Sequence, residues 1–319
     1  MQRLVAGAST QSRARRPLPE GWLPRLISRA GCSEEWLVKQ NDITFQHRID
    51  VSWVMCQGGP ILGYAADIGE WPRVLLERVR SLTKKAGLNG PGGIASELEI
   101  DAAELLCDTV GLYILGGVHN QQMRWLANGS DACDCAVRLA RAWTRKPGIL
   151  SFGYHGSSMV FAHSPQDGGI PPAYTANTYS LAFGDFNGLD SAFSYWDLAA
   201  IIVEVPPEDE DAQEFLRRAR VLCDRNGALL ILDDVVTGFR LALGGAAAFY
   251  RCRPDLVCYG KAMSNGRGIS AIVGREEIMS LLESDVFYSN TYNGDPYNCA
   301  FVLATLEILR QNEQEIYSH

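Results

Sequence analysis

The chain has 319 residues, 47% of them apolar and 21% charged, with a formal net charge of −8. That balance describes a globular protein with one large domain and smaller attachments, and its negative charge offers no overall basic field for nucleic acid or an anionic membrane. No apolar run reaches the ~18 residues of a membrane span, and the first residues lack the apolar stretch of a secretion signal, so a cytoplasmic protein is expected.

Residues 1–65 are irregular, with Arg3, Arg13, Arg15, Arg16 and a Cys56-Gln57-Gly58-Gly59-Pro60 turn, and are expected to wrap over a larger body as an arm. The spacing of Val74, Leu75, Val79 and Leu82 predicts a helix over 70–88, and that of Leu98, Ala102, Leu105 and Leu106 a second over 97–110. Asn89-Gly90-Pro91-Gly92-Gly93 is a turn-rich loop between them. From Met123 short apolar runs alternate with helical patterns: a strand at 123–127, a helix at 131–143, strands at 148–152 and 199–205, a helix at 209–226, then strands at 228–232, 256–259 and 269–273. A helix over 296–311 closes the series. Such alternation predicts an α/β fold, a mostly parallel sheet flanked by helices on both faces, with its site at the carboxyl ends of the strands.

The stretch from Leu229 to Lys261 carries the most chemistry. Asp233 ends one apolar run and Lys261 follows the next, so a carboxylate and an amine would meet at one sheet edge. A Schiff-base cofactor with a basic ring nitrogen needs that pair. The alternatives are that Asp233 caps a turn beside a solvated Asp234, and that Lys261 is a surface lysine ahead of Ser264-Asn265-Gly266. Asn128-Gly129-Ser130-Asp131 lies between a strand and a helix, where free first-turn amides hold phosphate or simply make a turn. Tyr154 and His155 sit between Gly153 and Gly156, placed either to stack on a planar ligand or to pack as an aromatic beside a hydrogen-bonded histidine. Glu204 ends a strand, as a site acid or a solvated charge. The nine cysteines show neither CxxC pairing nor zinc-type histidine spacing, so they are expected as reduced thiols, with no metal.

Taken in series, these segments resemble the class III aminotransferases that use pyridoxal phosphate, in the branch around glutamate-1-semialdehyde 2,1-aminomutase. LILDDVVTGFR, the run through PDLVCYGKAMSNG, ANGSDA with its following helix, FGYHG, AAIIVE, and Asn290-Thr291-Tyr292-Asn293-Gly294-Asp295-Pro296 each look like a motif of that family. The resemblance implies a fold-type I architecture and a Schiff base through Lys261, which would also shuttle protons. It implies that Asp233 holds the ring nitrogen protonated and that Asn128, Gly129, Ser130, Tyr154, His155 and Val235 line the cofactor. It further implies a homodimer in which Thr291 reaches the phosphate of the neighbouring site. Arg15 would hold substrate carboxylate, and Glu204 would face the substrate.

Three departures accompany the likeness. Asp234 stands where the family has glutamate, Val205 where it has proline, and the loop after Glu204 shortens to Pro206-Pro207-Glu208. The domain organisation implied is an arm at 1–65, a large cofactor-binding domain at 66–295, and a helix at 296–319 that leads toward a C-terminal small domain not present in the chain. An open site would suit a substrate carried on a macromolecule as well as a free amino compound. Aminotransfer, aminomutation, decarboxylation and racemisation all remain open, as does a non-catalytic scaffold.

Overall fold

The computed structural model describes residues 70–86, 95–114, 120–161, 168–206 and 209–317. The expected arm at 1–65, with Arg15, and Pro207 and Glu208 lie outside the described residues. Helices α1 (Glu70–Ala86) and α2 (Glu97–Val110) precede β1 (Gln121–Leu126), α3 (Gly129–Thr144) and β2 (Gly148–Phe152). There follow α4 (Pro172–Thr175), β3 (Thr178–Leu181), α5 (Phe186–Tyr195), β4 (Leu198–Val203), α6 (Ala212–Asn226) and β5 (Leu229–Asp233). The remainder is α7 (Gly245–Phe249), β6 (Leu256–Tyr259), β7 (Ser270–Arg275), α8 (Glu276–Met279), α9 (Pro296–Gln311) and α10 (Glu313–Tyr317).

Among the described residues seven strands form one sheet in the order β1-β7-β6-β5-β4-β2-β3. Strands β2 to β6 run parallel to their neighbours in this set, and β7 alone is reversed, antiparallel to both β6 and β1. The reversal has a physical cause. Residues 260–269, which join β6 to β7, hold only a single 3-10 turn at Lys261–Ser264, too little chain for the crossover that a parallel strand requires.

Both faces of the sheet are covered, which explains why β2, β4, β5 and β6 are buried along their whole length. Leu150, Phe152, Ile201, Val203, Leu230, Leu232, Val257 and Tyr259 share one core with buried residues of α2, α6 and α9. Ile149, Ala200, Ile202, Ile231, Leu256 and Cys258 share the other with Ala132, Ala136, Val137 and Ala140 of α3. No helix among the described residues is long and apolar enough to cross a membrane.

Six elements escaped the sequence pattern: the short helices α4, α7, α8 and α10, and, more substantially, β3 and α5. Strand β3 is four residues long with a single buried position, and α5 depends on Asp185, whose side chain caps it by accepting from Gly188 N at 2.8 Å. Neither has a periodicity long enough to register. The expected bounds of α2, β2, β6 and α9 held, the others moved by one to three residues, and the shift in β5 matters most, because Asp233 becomes the last residue of the strand itself.

Candidate active site

Strands β5 and β6 lie side by side and parallel, with Asp233 opposite Cys258 in their register. Lys261 therefore leaves the sheet one strand away from Asp233 and at the same edge. Asp233 is 3% exposed. Its Oδ2 lies 2.7 Å from Nδ1 of buried His155, and its Oδ1 accepts from Val235 N at 3.2 Å. A carboxylate in such surroundings is tolerated because it is paired. For His155, burial by itself disfavours the charged ring, but the hydrogen bond to Asp233, with further help from Cys133, outweighs it and raises the imidazole to about 10.

Lys261 has φ +44°, in the left-handed region, at the head of the 3-10 turn. Burial pushes its amine pKa down, while Asp233 and Glu204 act in the opposite sense. Glu204, just past β4, is half-buried, and its Oε2 accepts from Tyr154 N at 2.8 Å. Its carboxyl is raised, first by burial and then by the charge of Asp233. Glu204 is thus no freely solvated charge: it holds the backbone of the Gly153–Gly156 loop. Gly153 has φ +106° and leaves room for Glu204 only because it lacks a Cβ, which would stand 2.7 Å from Glu204 Cβ.

Helix α3 begins at this same edge. Asn128 caps it, accepting from Asp131 N at 3.0 Å, and the carbonyl of Asn128 accepts from Ser270 Oγ at 2.6 Å, which ties the helix start to β7. Val235 packs so closely over Gly129 that a Cβ there would lie 2.8 Å from Val235 Cγ1. Gly156, with φ +89°, approaches Ser130 so tightly that a Cβ would overlap the hydroxyl, and the next amide, Ser157 N, donates to Ser130 Oγ at 3.0 Å. Glycines at both contacts let two backbone segments approach the start of a 16-residue helix closely.

The fold accordingly brings together Asn128, Gly129, Ser130, Tyr154, His155, Glu204, Asp233, Val235 and Lys261. Tyr154 is 71% exposed, at the rim. Thr291 is exposed in the turn before α9. Asp234 is not solvated: it is 0% exposed, hydrogen-bonded to Thr237 Oγ1 and accepting from Ala246 N at 3.0 Å, and burial pushes its carboxyl up to about 7. The sequence reading missed Cys133. Its sulfur and donor atoms of His155 and Asp233 all lie within 4.8 Å of one another, yet the three residues sit on α3, a loop and β5, and no local spacing announces them.

Comparison with known proteins agrees with this geometry. A family model for class-III aminotransferases matches residues 91–316. Glutamate-1-semialdehyde 2,1-aminomutase of Desulforamulus reducens is 32% identical over 97% of this chain and 71% of its own length. The enzyme of the same name from Acetivibrio thermocellus is 33% identical over 78% of this chain and 62% of its own. Among solved structures, the Sphingopyxis sp. FumI protein, in its PLP internal aldimine form, is 28% identical with a TM-score of 0.68, covering 81% of this chain and 60% of that one. An omega-transaminase from Sphaerobacter thermophilus is 25% identical with a TM-score of 0.65, over 78% of this chain and 60% of that one. The chain thus spans some three-fifths of the solved relatives' length. By that family model over residues 91–316 and those relatives, this chain belongs to the class-III aminotransferases, the pyridoxal-phosphate-dependent enzymes of fold-type I.

Proposed function

We propose that this protein moves an amino group on an amino acid or amino-carbonyl compound, by transamination or aminomutation, with Lys261 as its working amine. The observation that carries the reading is the pair formed by Asp233 and Lys261 at the ends of adjacent parallel strands, above the start of α3. Pyridoxal phosphate, when bound, supplies a carbonyl carbon that an amine can attack and a ring that stores electrons. The residues suit that group: an anion cradle opened by Gly129 and Gly156, and a buried carboxylate able to meet a cationic ring nitrogen.

In this reading Asn128, Gly129 and Ser130 hold the phosphate, and Val235 packs between the α3 start and Gly260. Asp233, steadied by His155, keeps a proton on the ring nitrogen. Lys261, whose burial favours the neutral amine, would hold the cofactor through its amine and would carry a proton to and from the reacting carbon of the substrate. Glu204 orients Tyr154 through its backbone amide, and Tyr154 covers the ring. Thr291 completes the phosphate contacts of a second copy, so the working unit is a homodimer. A small amino substrate and a cytoplasmic site of action belong to the same proposal. The latter is supported by free thiols at Cys107, Cys133, Cys135, Cys223, Cys252, Cys258 and Cys299.

The test is the visible spectrum of the purified protein, before and after borohydride, beside Lys261→Ala. The reading expects a yellow band that borohydride removes and that the variant lacks. A wild-type protein that stays colourless with excess pyridoxal phosphate would refute it.

A further inference from the structure

Asp233 carries the one carboxylate in direct contact with His155, and the family's cofactor brings a second cation to the same group. His155 is 2% exposed and Asp233 3%, and they meet at 2.7 Å. A buried carboxylate balances one positive charge well; two cations on one buried anion leave an uncompensated charge in a low-dielectric place. Among the described residues, the basic side chain in contact with Asp233 is the imidazole of His155.

The far side of the imidazole shows how that charge can leave. His155 Nε2 is buried, and the Cys133 thiol near it supports the charged ring without meeting hydrogen-bond geometry at that atom. The polar side chain beside it is Cys133, 1% exposed, with the ring of Phe161 at 5.0 Å on another side. Cys133 itself is hydrogen-bonded to Cys258 of β6. Sulfur is a weak acceptor and a weak donor, so its support of the charged ring is less than an oxygen would give and is lost at smaller cost. A hydroxyl or carboxylate at the same place would fix the ring in one state. Other charged groups at this edge are Glu204 beyond β4, Lys261 beyond β6 and Arg240, whose charge acts on Lys261, with Asp234 turned to Thr237 and Ala246.

We propose that His155 and the ring nitrogen of the cofactor exchange one positive charge across Asp233: the imidazole is doubly protonated while the cofactor is away and neutral once the ring nitrogen sits on the carboxylate, with Cys133 as the positioning residue that leaves Nε2 free to change. This rests on the proposed cofactor reading and extends it to an arrangement of residues in this chain. The balance is simple. A ring nitrogen that arrives unprotonated gains one proton, His155 loses one from Nε2, Nδ1 keeps its hydrogen toward Asp233, and the total number of protons is unchanged. The buried set carries one cation and one anion in both states. The tautomer left behind, with Nδ1–H on the carboxylate and a bare Nε2 beside a thiol, keeps the strong hydrogen bond intact.

The experiment uses the full chain labelled with 15N-histidine, with His155→Gln identifying the His155 signals by their loss. Long-range 1H–15N correlation spectra are recorded without cofactor, with pyridoxal phosphate, and with 1-deazapyridoxal phosphate, which has C–H in place of the ring nitrogen. Expected are imidazolium signals without cofactor, a neutral ring protonated at Nδ1 with pyridoxal phosphate, and imidazolium again with the deaza analogue. A visible band beside an unchanged His155 overturns the exchange while leaving the cofactor reading intact; no band at all refutes that reading instead. Cys133→Ser, whose hydroxyl is the stronger partner for Nε2–H, is expected to retain some or all of the imidazolium signal in the loaded protein. If its spectra match the wild type in both states, Cys133 has no part in the exchange.

Discussion

Lys261 is a non-glycine residue at φ +44°, a conformation that costs an L-residue about 1 kcal/mol or more. The turn after Gly260 holds it there, and the cost is borne at the position that must aim an amine along the sheet edge. In the cofactor-free protein Lys261→Gly should therefore be more stable than Lys261→Ala, by about 1 kcal/mol, as read from urea midpoints. Equal stabilities would mean that the turn relaxes once the lysine is gone. Asp234 provides a second test. Its folded carboxyl titrates at about 7 because of burial, against about 3.9 for an unfolded aspartate. The folded state binds this proton more tightly, so the stabilisation is fully present below about pH 4 and is lost as pH rises through 7. Asp234→Asn, uncharged throughout, should flatten that part of a urea-midpoint profile measured from pH 4 to 8. A profile as steep as the wild type would assign the slope to another group.

At the scale of elements, the sheet is pinned at the edge opposite the site. Asp255, 1% exposed, accepts from Arg220 Nη1 at 2.7 Å, Arg275 Nη1 at 2.8 Å and Leu230 N at 2.8 Å. One carboxylate thus joins α6, the start of β5, the start of β6 and the end of β7. Its removal leaves the Leu230 amide unpaired and takes one of two carboxylate partners from each guanidinium, which keep Asp224 and Glu277 respectively, a loss of about 1–3 kcal/mol. Asp255→Ala should lower the denaturant midpoint accordingly while leaving the absorption of bound cofactor unchanged, since Asp233 and Lys261 lie at the other end of the strands. The pair Glu214 with Arg217 is exposed on α6, and Glu214→Ala should not move the midpoint measurably. Short hydrogen bonds alike in distance differ in worth because water competes for one set and not the other.

For the whole molecule, the proposed homodimer makes a prediction that mixing can check. Lys261→Ala chains keep Thr291, and Thr291→Ala chains keep Lys261. If Thr291 completes the neighbour's phosphate site, a mixed dimer has one site with both residues, so refolding the two variants together should restore tight cofactor binding to part of the population. Mixtures that bind no better than Thr291→Ala alone would place Thr291 outside the site.

What the amino-acid sequence determined by itself follows from runs of residues close in the chain. Four to six consecutive apolar residues in β4, β5 and β6 announced a sheet buried on both faces, and the order of the motifs put Asp233, Lys261, Gly129, Ser130 and Tyr154 at strand ends. Helices α2 and α9 matched their predicted bounds because their apolar spacing persists over 14 and 16 residues. Short or polar elements such as β3 and α5 were illegible, since their stability comes from neighbours rather than from local pattern. Only the tertiary structure decided that Asp234 is buried, that β7 runs backwards, that Glu204 holds the Tyr154 loop, and that a thiol from α3, an imidazole from a loop and a carboxylate from β5 converge. Those outcomes depend on which distant groups share a low-dielectric space, and hydrogen bonding and charge pairing across such distances leave no periodicity in the chain.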